Sequence, residues 1–208
     1  DQELFVVKFY HIHLIQLIAK KMNIAQKVVG TAAMFYRRLY YKRTFYDYNP
    51  SLYSVTCLYL ASKLEETALH QGQAEVMLHA TKTVDRSFAF GIEDLMKAEY
   101  FLLEELEFDL IVFSPYQPLA EYVHDAKMDY AIQKIWGIVN DTFKLTDLCL
   151  TYPPHLITLS AIFLCAMNEN VDILLWLSNL TIDIRHLGEV SCVIQRAYAN
   201  FKNIGKDD

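Results

Sequence analysis

The stretch from Asn49 to Glu66 leaves few choices for the fold: Asn-Pro-Ser-Leu-Tyr-Ser-Val-Thr-Cys-Leu-Tyr-Leu-Ala-Ser-Lys-Leu-Glu-Glu. Asn49 is suited to cap a first helical turn through its side-chain oxygen. Pro50 fits the first helical position, where a missing N–H costs nothing. The body of the segment is apolar on nearly every side. A helix of that kind belongs at the centre of a bundle, because a surface helix would carry one polar face. Its end differs. Ser62, Lys63, Glu65 and Glu66 gather polar and charged groups at the tip of a core rod, which holds charge rigidly within reach of another molecule.

The pattern recurs later in the chain. With Pro50 set against Pro154 and no gaps, Leu52 meets Leu156, Val55 meets Leu159, and Leu58, Tyr59 and Leu60 meet Ile162, Phe163 and Leu164. The same shift puts Ala33 on Gly137 and Leu39 on Phe143. An internal repeat of this length means two copies of one design. Helical periodicity is expected over Phe5–Met22, Val28–Arg43, the Pro50 segment, Gln73–Ala80 and Phe90–Glu107. It is expected again over Tyr116–Asp125, Tyr130–Lys144, Pro154–Met167, Val171–Ser178 and Asp183–Asn203. Between the halves, Phe108–Pro115 has no second strand to pair with and reads as an extended linker. Its Ser114-Pro115 repeats the cap-plus-proline helix start. The expectation is an all-α chain of two tandem five-helix bundles, 1–110 and 111–208. In the repeat Lys63 falls on Met167, so the fold does not require Lys63, whereas Glu65 meets Glu169.

Several function classes are disfavoured by the residues. The net charge of −6 argues against a sequence-independent grip on nucleic-acid phosphates. Tyr36-Arg37-Arg38 with Tyr40, Tyr41, Lys42 and Arg43 interleaves aromatic and basic groups, as single-strand-binding surfaces do. In a helical setting it reads more simply as a tyrosine-lined flank with a solvated basic edge. The 4 cysteines form no C-x-x-C pair, which suits a reducing compartment without disulfides. Two N-x-T sequons, at Asn140 and Asn179, read as chance. The longest apolar run, Leu156–Met167, is too short to span a bilayer, and no signal peptide is visible. His11 and His13 point to different helix faces, and nothing orients Cys149 toward His155. No phosphate loop or nucleophile elbow occurs. Neither catalysis, a metal nor a cofactor is expected.

Together these residues resemble the cyclin family. Leu60-Ala61-Ser62-Lys63-Leu64-Glu65-Glu66 is similar to the Leu-Ala-x-Lys-x-Glu-Glu signature that ends the central helix of the first cyclin box. Lys97-Ala98-Glu99-Tyr100, followed by Leu102, Leu103, Leu106, Phe108, Asp109 and Leu110, resembles the fifth helix of that box and its exit. A narrower likeness, to the cyclin C branch, runs through Leu110–Phe113, Pro115-Tyr116, Ile138–Thr142, Asp147–Leu150 and Tyr152-Pro153-Pro154. The resemblance implies two cyclin boxes, the first of them kinase-binding. It implies a nuclear regulatory subunit that activates a transcriptional cyclin-dependent kinase within the Mediator kinase module. The expected partners are the kinase catalytic subunit and Mediator kinase-module proteins, with no direct nucleic acid and no membrane. The kinase contact would consist of Lys63 and Glu99 as a charged pair, with Leu64, Leu103 and Phe108 lining a groove for the kinase's mobile helix. By spacing alone Lys63 would be a solvated lysine paired with Glu66, and the three apolar residues could be core. Two departures stand out. Val7–Ile12 does not match the Met-Arg-Ala-Ile-Leu docking patch of cell-cycle cyclins, and the extra N-terminal helix expected of the cyclin C branch has no counterpart in the sequence. The alternatives are a different transcriptional cyclin, or a general transcription factor core of the same design that binds DNA.

Overall fold

The computed structural model describes residues 2–66 and 72–204, and among them every regular element is helical. The chain folds as two compact units, Asp1–Val112 and Phe113–Asp208. The first holds α1 (Gln2–Lys21), α2 (Gln26–Lys42), α3 (Pro50–Leu64), α4 (Gln73–Val84) and α5 (Ile92–Glu105). The second holds α6 (Leu119–Asp125), α7 (Ile132–Leu145), α8 (Leu148–Thr151), α9 (Pro154–Glu169), α10 (Leu174–Ser178) and α11 (Ile184–Ile204).

The helix that begins at Pro50 is central, as its all-round apolarity requires. α3 packs against each of α1, α2, α4 and α5. Asn49 caps it as expected, its side chain accepting from the Ser51 and Leu52 amides at 3.0 and 3.3 Å. Its polar core residues bond backward along the helix. Ser54, Thr56 and Ser62 donate to the carbonyls of Ser51, Leu52 and Leu58, so burying them leaves no hydroxyl orphaned. On α2, Gly30, Ala32 and Ala33 are buried and small, which lets α2 lie close against α3. The second unit repeats the plan around α9, which packs against α6, α7, α8 and α11.

Details differ from the sequence expectation, among them α5 at Ile92–Glu105 and α10 from Leu174. The second unit has an additional one-turn helix, α8. Its first helix also starts at Leu119 and not at Tyr116, because Pro118 disfavours helical backbone at Gln117. Ser114 makes a turn there, its Oγ accepting from the Tyr116 amide at 3.3 Å.

Four helices close at their C-terminal ends without glycine. α1, α5, α6 and α9 all close with paired backbone bonds of the Schellman type, for example Ile24 N–H to Ala19 C=O at 2.8 Å and Met128 N–H to Val123 C=O at 2.9 Å. The left-handed position is filled by Asn23, Glu107, Lys127 and Asn170, at φ of 54°, 55°, 56° and 56°. For a residue with a Cβ that conformation costs about 1–2 kcal/mol.

Candidate functional site

Lys63 lies in the last turn of α3, where a cation opposes the negative end of the helix dipole. Its Nζ bonds both carboxylate oxygens of Glu99 on α5, at 2.6 and 2.8 Å. The partner is therefore Glu99 and not Glu66, the partner that spacing alone suggests. The ammonium also sits over the ring of Tyr59, one turn earlier, 4.5 Å from the centroid. The two charges are unequally exposed: the Lys63 side chain keeps 39% of its surface in solvent and the Glu99 side chain 12%. Partial burial works against the Lys63 charge, but the Glu99 carboxylate and the Tyr59 side chain outweigh it and raise the lysine pKa. The result is a fixed ion pair at the edge of the first unit, open to solvent on the lysine side.

Ser62 and Glu65 of the α3 tip turn inward. Ser62 is fully buried. Glu65 accepts from Thr31 Oγ1 at 2.9 Å and pairs with Lys27 at 2.6 Å, which ties the tip to α2. Its counterpart in the repeat, Glu169, pairs with Lys134 of α7 in the same manner. Glu65 thus belongs to the architecture shared by both units, and Lys63 does not.

Leu64, beside Lys63, is 41% exposed, and Phe108, just past α5, is 67% exposed. Leu103, one turn beyond Glu99, is half-buried. None of the three is a fully buried core residue. Ile92, Met96, Tyr100 and Phe101 extend the exposed apolar surface along α5, which is more than scattered surface residues need explain.

Sequence reasoning missed several contributors. Tyr59 looked like part of the apolar body, and only its i, i+4 spacing from Lys63 hints at the ring contact. The basic edge of α2 is committed elsewhere. Arg38 donates to the Asp109 and Ile111 carbonyls, Lys42 to Glu107, and Arg43 to Glu105, which also accepts from Tyr48. Tyr36 and Tyr40, on the same stretch, are buried. A further cleft, in the second unit, is lined by Tyr152, Pro153, His155, Asp183 and His186, and it contains none of the residues expected at the kinase contact.

The family model of the cyclin N-terminal domain matches residues 8–111, the stretch that carries α2 to α5 with Lys63 and Glu99. The chain belongs to the cyclin family. Cyclin-C1-1 of Oryza sativa subsp. japonica is 35% identical over 204 residues, which is 97% of this cyclin and 78% of that one. Cyclin-C of Rattus norvegicus is 30% identical over 213 residues, 98% of this chain and 76% of the relative. Cyclin-C of Drosophila melanogaster is 28% identical over 216 residues, 100% and 79% of the two chains. Among solved structures, a chain of the yeast TFIIK (Kin28/Ccl1/Tfb3) complex superposes with a TM-score of 0.75 at 22% identity, covering 92% of this cyclin and 86% of that chain. That likeness speaks for the fold. The family match carries the membership, and the relatives carry the likeness to cyclin C.

Proposed function

We propose that this cyclin is the regulatory subunit of a transcriptional cyclin-dependent kinase, which it binds and activates without performing chemistry itself. The first unit, taken as 1–110, supplies the contact, and 111–208 forms the second box. The kinase's mobile helix packs on Leu64, Leu103 and Phe108, in a helix-in-groove mode. Lys63 donates to backbone carbonyls flanking that helix, and Glu99 accepts from backbone amides. Holding the helix inward lets the kinase complete its own Lys–Glu pair and order its activation loop. Binding shifts a population already open to the kinase. A place beside Mediator kinase-module proteins in the nucleus follows from the likeness to cyclin C.

The observation that carries this reading is the Lys63–Glu99 pair. It is held by both carboxylate oxygens, it is solvent-accessible from one side, and the repeat places Met167 where Lys63 stands. The DNA-binding alternative is disfavoured by the engagement of Arg38, Lys42 and Arg43 with the α5 exit. The test is a pull-down from nuclear extract, followed by reconstitution of the recovered kinase with the purified chain. The expected result is a cyclin-dependent kinase whose phosphorylation of a peptide rises on addition of the chain, while the chain alone transfers no phosphate. Recovery of duplex DNA without a kinase would contradict it.

A further inference from the structure

The end of α5 is unusual in two ways at once. Glu107 and Phe108 are consecutive residues with left-handed backbone, at φ 55° and 56°. The turn is closed by Phe108 N–H to Leu103 C=O at 3.0 Å and Glu107 N–H to Glu104 C=O at 2.9 Å. A glycine is the ordinary occupant of such a turn, and a phenylalanine in this conformation is an outlier. Packing within the unit gives no reason for it, since the Phe108 side chain is 67% exposed. A strained backbone that holds an apolar ring in solvent persists only where its surroundings over-determine it.

Those surroundings are the basic edge of α2. Arg43 Nε bonds Glu105 at 2.8 Å, and Tyr48 donates to the same carboxylate at 2.6 Å. Lys42 bonds Glu107 at 2.5 Å. Arg38 then spreads its guanidinium across the chain, Nη1 to the Asp109 carbonyl and Nη2 to the Ile111 carbonyl, both at 3.0 Å. The Asp109 side chain closes the segment locally by accepting from the Ile111 amide at 3.3 Å. Descending positions on α2 (43, 42, 38) thus meet ascending positions on the exit (105, 107, 109–111), one after another. The two carbonyls are met by separate nitrogens of one rigid fork, a spacing that the single nitrogen of a lysine does not reproduce.

We propose that Arg38 is a positioning residue of the partner-binding surface: by gripping the Asp109 and Ile111 carbonyls it holds the left-handed exit of α5, and with it Phe108, in the orientation that receives the kinase helix. This rests on the proposed kinase contact. It also gives the basic-aromatic stretch of α2, which in sequence resembles a nucleic-acid surface, a different task. Lys42 and Arg43 fix where the exit begins, and Arg38 fixes its direction.

The experiment is a double-mutant cycle on the full chain, with the cyclin-dependent kinase catalytic subunit as probe, plus hydrogen exchange of the free chain. Arg38→Ala and Phe108→Ala are each expected to weaken kinase binding about tenfold, a loss in the usual range for an interface side chain. In the Phe108→Ala background, Arg38→Ala should add less than about threefold, because coupled residues are not additive. Arg38→Lys keeps the charge and stem, and it should bind like Arg38→Ala. In the free chain, either Arg38 variant should speed exchange at amides 107–111 while those of α3 stay protected. If the two losses multiply, or if Arg38→Lys binds like the wild type, Arg38 does not act through Phe108. If exchange at 107–111 is unchanged in both variants, the clamp itself is wrong. Failure of the unaltered chain to bind the kinase would instead overturn the proposed function, and the exchange result would still judge the clamp.

Discussion

Reversing the Lys63–Glu99 pair separates what it does for the fold from what it does for a partner. In Lys63→Glu/Glu99→Lys the two charges exchange places and can still meet between α3 and α5. A partly exposed ion pair contributes about 0.2–1 kcal/mol, and the Tyr59 contact about 0.5–1 kcal/mol more. Lys63→Ala loses both, and alanine's better helix propensity offsets a few tenths of that. For a chain of 208 residues, a loss near 1 kcal/mol lowers the melting temperature by about 2–4 °C. The exchange restores the ion pair but not the Tyr59 contact, and it sets an anion at the negative end of the α3 dipole, so it should recover only part of that loss. Binding follows another rule. Truncating a charge that is hydrogen-bonded at an interface costs about 2–5 kcal/mol, or roughly 30-fold to several thousand-fold in Kd. Exchanging it sets a carboxylate against the kinase carbonyls. The assay is paired: thermal melting of each variant, and calorimetric titration with the kinase catalytic subunit. The expected pattern is a melting temperature within about 2–4 °C of wild type with binding lost. Lys134→Ala breaks a different ion pair, with Glu169 in the second unit, and serves as the control, with a small thermal loss and unchanged affinity. Recovery of affinity in the exchanged variant would refute the reasoning, because the pair would then matter only as a brace.

Other perturbations test the fold and the charge assignments. His11 is buried, its Nδ1–H bonded to the Val7 carbonyl at 2.8 Å and its Nε2 facing Ser51 Oγ at 3.3 Å. Burial lowers its pKa against the opposing pull of that carbonyl and of Asp85. The unfolded chain therefore binds the proton first, and this contribution to stability, full above about pH 6.5, is lost as pH falls below it. Urea melts at pH 7.5 and 5.5 should show the loss, and His11→Gln should flatten it. Lys127→Gly should stabilise the second unit by about 1 kcal/mol, because glycine takes the left-handed cap without a Cβ clash; an unchanged denaturation midpoint would argue against that cap. Ala33→Leu, at a fully buried position on α2, should destabilise by about 1–3 kcal/mol in the same melts. A gel shift with duplex DNA at physiological salt should show no complex.

How much could be read from the sequence depends on the distance over which each feature is encoded. The two central helices were legible because burial on all sides shows directly as apolarity, and the Asn49-Pro50 start is a local signal. The repeat alignment then separated Lys63 from Glu65, and the structure gives that division a cause in the Lys27 and Thr31 contacts of Glu65. α8 went unread because four residues, Leu148–Thr151, are too few to establish a period. The α5 end was placed late, at Glu107, because glycine-free caps carry no local mark. Glu99 lies 36 residues from Lys63, so their pairing is a property of how α3 meets α5. Arg38 was hardest to assign. Its partners are backbone carbonyls, which leave no trace in residue identity.

The most direct measurement of where the kinase sits is photo-crosslinking. A crosslinking residue is placed singly at Leu64, beside Lys63, and at Leu175 on the second unit, which is 80% exposed. Each variant is mixed with the kinase catalytic subunit, irradiated and mapped by mass spectrometry. Leu64 is expected to join the kinase's mobile helix, and Leu175 to give no kinase adduct. Capture of the kinase from Leu175 with none from Leu64 would contradict it.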